Sequence, residues 1–345
     1  MIKLETIQKS VTENPILKNR IIIACLLTIT VLLVTAAFYV MRPILVPLVF
    51  SVFLYIAIVP FIDWCQNRLY LPKFVAVLIT FILLILVFTG LITVMGVSIK
   101  AFIKGSAVYR LKLLNVVDDF TLFATDYGIK MDLSLVRQAL LELPILQWIR
   151  SFSGGVFGLA GNSVLVFICT MFLLVGKANK DAKGITNRLL TQQISKYLLT
   201  KLFTSTLTGV LVGMMLSIFN VQLALMFAIL TFLLNFIPSM GSIIAILIPI
   251  PIILFQFGYS MTSLLCIGIL CSIQFIIGNI IDPKLMGDSQ GLHPAIVLAS
   301  LLFWGFIWGI PGMFLAVPMT AVIKLLLNLY KPTQPIAAIL EGQFK

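Results

Sequence analysis

The chain has 345 residues, 61% of them hydrophobic and 10% charged, with a formal net charge of +12. Mean hydropathy is +1.14, which excludes a soluble globular protein of this length, since that would need far more polar surface. The basic residues sit between apolar runs, where they set topology and meet anionic lipid, so the charge is not a nucleic-acid footprint.

The composition predicts an all-α, polytopic helical membrane protein. Residues 1–20 are polar, carry Lys3, Lys9, Lys18 and Arg20, and are assigned to the cytoplasm. Residues 21–99 hold three apolar runs, each long enough to cross a bilayer at about 20 residues per crossing. The first, Ile21–Val40, lacks a small-residue cleavage pattern and is too long for a signal-peptide core, so it is read as a retained helix. Arg42-Pro43 breaks the chain before the second run.

Residues 100–150 differ in character. Basic and acidic residues mix there, with Val108, Leu111, Leu114 and Val117, and later Leu133, Val136, Leu140 and Leu143, at near-helical spacing. This predicts a small amphipathic helical insert outside the cytoplasm, either lying on the membrane face or binding a partner. Residues 151–176 read as a fourth crossing, opened by Gly154, Gly155, Gly158 and Gly161. Residues 177–201 carry six basic residues (Lys177, Lys180, Lys183, Arg188, Lys196, Lys201) against Asp181. That positive-inside signal places the segment, and with it both termini, in the cytoplasm.

Residues 202–330 form the predicted transport core. No charged residue lies between Lys201 and Asp282, and none between Asp288 and Lys324. Proline and glycine interrupt both apolar blocks, at Asn235–Gly241 and at Gly309–Gly312. Two full crossings need about 40 residues, more than Pro294–Ile323 offers, so a re-entrant hairpin fits there. The same reasoning applies to Val221–Phe257. Two hairpins of opposite orientation would make an inverted repeat of broken helices; the alternative is four short helices with two kinks. Residues 331–345 are read as a cytoplasmic tail.

Broken backbone at membrane depth survives only inside protein or beside a water-filled cavity. The predicted substrate pathway is therefore Asn235, Pro238, Ser239, Gly241, Gln274, Asn279, Pro311, Gly312 and Pro318. Asp282, Pro283 and Gly287 are the gating or coupling candidates. Asp282 borders the long apolar core, and a carboxylate there is a functional candidate, or else a helix-end residue paired with Lys284. Pro283 is expected to end the helix. His293, the single histidine, is read as an incidental loop residue. The five cysteines show no metal-ligand spacing and read as small apolar residues. No phosphate-binding loop, zinc-protease motif or nucleophile elbow occurs, so no catalytic residue, metal or cofactor is expected.

The motifs in combination resemble the autoinducer-2 exporter family of bacterial membrane transporters. They are Arg42-Pro43-Ile44-Leu45-Val46-Pro47, Tyr55-Ile56-Ala57-Ile58-Val59-Pro60, Asn235-Phe236-Ile237-Pro238 with Gly241, Asp282-Pro283-Lys284-Leu285-Met286-Gly287, Trp304-Gly305 and Gly309-Ile310-Pro311-Gly312 through Pro318. The resemblance implies a permease of the bacterial inner membrane with seven or eight spans, an extracytoplasmic insert and a homo-oligomeric assembly. It implies export of the quorum-sensing signal autoinducer-2, or sodium(lithium)/proton antiport. Three readings stand on the sequence. The first is a permease for a small polar solute, facilitative or ion-coupled. The second is a cation/proton antiporter using Asp282, and the third a non-transporting membrane scaffold.

Overall fold

A bilayer offers backbone groups no hydrogen bonds, so apolar runs must satisfy them internally as helices. The computed structural model describes residues 15–126, 163–176, 185–286 and 291–342, and contains helices and no strand among them. Among the described residues, six helical segments are long and apolar enough to cross a membrane. Outward-facing side chains such as Phe172, Ile218 and Phe306 are exposed, as lipid contact requires.

Helix α1 (Pro15–Val40) and α2 (Arg42–Leu69) are separated by one residue, Met41, just before Pro43. α3 (Lys73–Asp126) is a single helix of 54 residues. At 1.5 Å per residue it is on the order of 80 Å long, more than twice the ~30 Å hydrocarbon thickness. Its apolar part is Lys73–Ser98, so the change of composition near residue 100 falls inside a continuous helix. Residues 127–150, and the glycines expected to open the fourth crossing, lie outside the described residues. α4 (Ser163–Val175) packs Phe167 edge-on against Phe81 and Phe88 of α3.

α5 (Ile185–Ile218) absorbs the end of the basic segment. Lys201 closes that segment in the sequence, yet its side chain is buried within the helix. Local charge counting reads it as a loop residue because its counter-ion lies far along the chain. α6 (Ala224–Leu234) lies against α5, where a Cβ on Gly209 or Gly213 would come within 2.9 Å or 2.8 Å of Ala228. Small residues four apart permit this close approach.

The chain then turns through residues 235–239 into α7 (Met240–Leu247) and α8 (Pro249–Phe257). α9 (Met261–Ile276) comes next, starting from Ser260, whose side chain caps the Ser263 amide. It passes through a π-helical turn, Ile277–Ile281, into the short α10 (Asp282–Met286). α11 (Pro294–Trp308) and α12 (Ile310–Leu329) form a tight hairpin about Gly309, whose φ of +67° suits glycine. A 3₁₀ turn and α13 (Gln334–Leu340) close the described chain.

Two cores hold the carboxyl half together. One joins α5, α6, α8 and α9 through Val212, Leu216, Phe227, Ile253, Cys266 and Leu270. The other joins α2, α5, α11 and α12 around Trp304 and Trp308 and reaches Ile237 in the first turn. Phe236 stacks on Phe314 with ring centroids 4.6 Å apart. The turn after α6 therefore meets α12 just beyond the turn at Gly309.

Candidate functional site

Proline and glycine alone mark the two interrupted places in the sequence, and packing gives their physical reason. A Cβ on Gly241 would stand 1.8 Å from the Leu234 carbonyl oxygen, and one on Gly312 would stand 1.9 Å from that of Trp304. In both hairpins the returning arm touches the backbone of the outgoing arm, and no side chain fits between. Ser239 at the first tip has φ +60° and ψ −58°, and the Met240 amide donates to the Pro238 carbonyl at 2.6 Å. This is a γ-turn with positive φ, a rare and strained conformation for a residue with a Cβ.

Pro283 does not end its helix. A proline ring clashes with the carbonyl four residues earlier and supplies no donor. The helix answers by widening: the Asp282 amide bonds the Ile277 carbonyl in a π-turn, and α10 then continues through Pro283. One added residue rotates the succeeding turn by about 100° relative to a regular helix. That rotation accompanies the burial of Asp282, which is 8% exposed.

Asp282 pairs with Lys201 of α5, not with Lys284. Its Oδ2 accepts from the Lys201 ammonium, and its Oδ1 accepts from the Thr204 hydroxyl at 2.8 Å. The same ammonium donates to the Asn235 backbone carbonyl at 3.3 Å, and the Asn235 side-chain Nδ2 donates to Ser205 Oγ at 3.2 Å. Three elements are thereby tied: α5, the turn after α6, and the π-turn region. Charges out of water persist only when paired and hydrogen-bonded, and both conditions are met here.

This ion pair lies in the wall of a cavity of about 800 Å³. Asn235, Pro238, Ser239, Ser242, Gln274, Asn279, Asp282 and Pro283 line it, with Tyr197, Cys271 and the Gly291–Leu292 loop. Gln274 is 1% exposed, and among the described residues neither end of its carboxamide has a hydrogen-bond partner. A second hollow, on α3 between Ile82 and Val94, is lined by apolar side chains with Thr89 and Thr93, and no charged residue lines it.

The predicted pathway residues thus divide. Asn235, Pro238, Ser239, Gln274, Asn279, Asp282 and Pro283 come together around one cavity. Gly241 is buried in hairpin packing beside it, whereas Pro311, Gly312 and Pro318 belong to the second hairpin and do not line the cavity. Gly287 lies outside the described residues. Reading the sequence misses Lys201, Thr204 and Ser205 as members of the site. The available signal is that Lys201 and Asp282 are the two charges bounding one charge-free stretch.

His293 is more than an incidental loop residue in its packing. Its Nδ1 accepts from the Ala295 amide at 3.3 Å, and its own amide donates to the Leu340 carbonyl at 3.1 Å. Lys324 bonds the Gly291 carbonyl at 2.9 Å and pairs with Glu341 at 2.9 Å. The C-terminal helix therefore fastens the loop that forms one side of the cavity. Among the described residues no cluster of histidine, cysteine or carboxylates is arranged to hold a metal ion.

Comparison with known proteins agrees with this architecture. Residues 27–331 match the model of the AI-2E family transporters. A protein of Haemophilus influenzae named "Putative transport protein" is 32% identical over 333 residues, covering 90% of this chain and 93% of the relative. One of the same name from Borreliella burgdorferi is 30% identical, covering 87% and 85% respectively. The AI-2 transport protein TqsA of Escherichia coli is 25% identical over 308 residues, covering 86% and 89%. With the helical membrane architecture and this match over most of its length, the chain belongs to the AI-2E family of transporters.

Proposed function

We propose that the protein is a permease that moves a small, polar, uncharged solute across the bacterial inner membrane by way of the cavity beside Asp282. One observation carries this reading: the cavity is lined by residues with uncharged hydrogen-bonding side chains, and for one of them, Gln274, neither end of the carboxamide finds a partner among the described residues. A buried amide without partners costs free energy, so its retention is explained by a ligand that bonds it. A carboxamide donates and accepts together, matching a solute with hydroxyl and carbonyl groups side by side. Autoinducer-2 is such a molecule, and the name of the Escherichia coli relative supports it as substrate. The Lys201–Asp282 pair is the gate, because it ties α5 to the turn after α6 and to the π-turn region.

Positive-inside charge supports cytoplasmic termini and an extracytoplasmic position for the end of α3. The family resemblance supports a homo-oligomer. A second reading, sodium(lithium)/proton exchange, draws support from the buried Asp282 carboxylate in the cavity wall. The test is purified protein in liposomes, assayed for efflux of autoinducer-2 and for sodium-dependent proton movement. Efflux faster than from protein-free liposomes is expected. No acceleration, with sodium-driven proton movement instead, overturns the solute reading in favour of exchange.

A further inference from the structure

The Lys201 ammonium sits among oxygens. Asp282 Oδ2 accepts from it, and the Asn235 carbonyl lies 3.3 Å away. The Thr204 hydroxyl holds the other carboxylate oxygen at 2.8 Å and so fixes the orientation of the group. Asn235 is the C-cap of α6, so its carbonyl belongs to the negative end of a broken helix. Helix C-terminal ends and unwound carbonyls are the groups with which secondary transporters hold a sodium ion or proton. In this protein a side chain of the same unit charge fills the place.

We propose that Lys201 is a tethered cation occupying an oxygen-lined site for a monovalent ion. Wild-type protein is thereby independent of sodium and lithium, and removing the ammonium opens the site to either ion. With Lys201 in place the pair is neutral, and a further cation would put an uncompensated charge in a buried position. Without it, Asp282 is left as a buried carboxylate facing a carbonyl, and a small hard cation restores neutrality. Transport by the proposed permease is then sodium-independent, but the ion site stands on geometry alone.

The test is thermal unfolding of the purified full-length protein in sodium, lithium or choline chloride at equal ionic strength, with no solute present. Wild-type melting temperatures should coincide in the three salts. Lys201→Met should melt about 3 °C or more higher in sodium or lithium than in choline. The double variant Lys201→Met/Asp282→Asn should lose that difference. A wild-type protein stabilised specifically by sodium or lithium overturns the proposal, whatever the variant does. So does a Lys201→Met variant that folds in choline without an ion-specific shift, or one that unfolds in all three salts, because an occupied site would have restored the charge balance. Since no solute enters the measurement, failure of the efflux assay and failure here are separate results.

Discussion

Lys201 and Asp282 stand 81 positions apart in the chain and bond side chain to side chain. They are also the two charges that bound the longest charge-free stretch. Folding brings these ends together because α5 and the π-turn region pack side by side, and the apolar helices between them loop outward and return. Neither charge would survive burial alone, so the pair fixes the packing of α5 against the helix that carries Asp282.

The first prediction concerns that pairing. Lys201→Met, measured in choline chloride, should destabilise the protein by about 3–5 kcal/mol, because it strands a buried carboxylate. Adding Asp282→Leu should recover most of the loss, since the second change removes the stranded charge. A double-mutant cycle by denaturation in micelles reads the coupling. Additive losses would show that the two side chains do not depend on each other.

Glycine substitutions should separate close backbone approach from mere presence in a helix. Gly241→Ala and Gly312→Ala each place a methyl group on a carbonyl oxygen, at a cost of about 3 kcal/mol, the upper range for overpacking. Gly268→Ala in α9 meets nothing within 4 Å. It should be neutral or stabilise by about 0.5–1 kcal/mol, as alanine does in a helix interior. Equal effects at all three positions would contradict the packing account of the hairpins.

The strained γ-turn predicts the opposite sign nearby. Ser239→Gly should stabilise the fold by about 1 kcal/mol, since glycine adopts positive φ without steric cost. Thermal unfolding checks it. A loss of stability would mean that the Ser239 side chain contributes more than its backbone costs.

The fold is legible where a single run of residues decides the outcome. Apolar length alone announces the helices, and proline with glycine locates the turns at residues 235–241 and 309–312. The close contacts that require Gly241 and Gly312 are not legible, because they depend on where the preceding arm runs. Pro283 reads as a terminator; a widened turn lets the helix pass through it, a choice made by the burial of Asp282 and not by local propensity. Sequence distance favours near neighbours and so points Asp282 to Lys284, two positions away. The actual partner comes from another helix, and so does Thr204. Pro311 and Pro318 look equivalent to Pro238 by composition, yet they do not line the cavity.

Gln274 distinguishes a structural from a functional residue. Gln274→Leu removes two unpaired polar atoms from a buried position and should leave stability unchanged or raise it by about 1 kcal/mol. Efflux from liposomes should fall at least tenfold, the effect of losing roughly 1.4 kcal/mol of solute interaction. Melting temperature and efflux rate measured on one preparation check both halves. A variant that is less stable but transports normally would assign Gln274 to packing.

The central claim is that the solute passes through the cavity beside Asp282, and Cys271 in its wall offers a native handle. The decisive measurement is efflux from proteoliposomes before and after a bulky, membrane-impermeant thiol reagent, comparing wild type with Cys271→Ala. The account predicts that the reagent stops wild-type efflux, that excess solute slows the block, and that Cys271→Ala resists it. A wild-type protein modified at Cys271 that transports at its former rate would contradict the account.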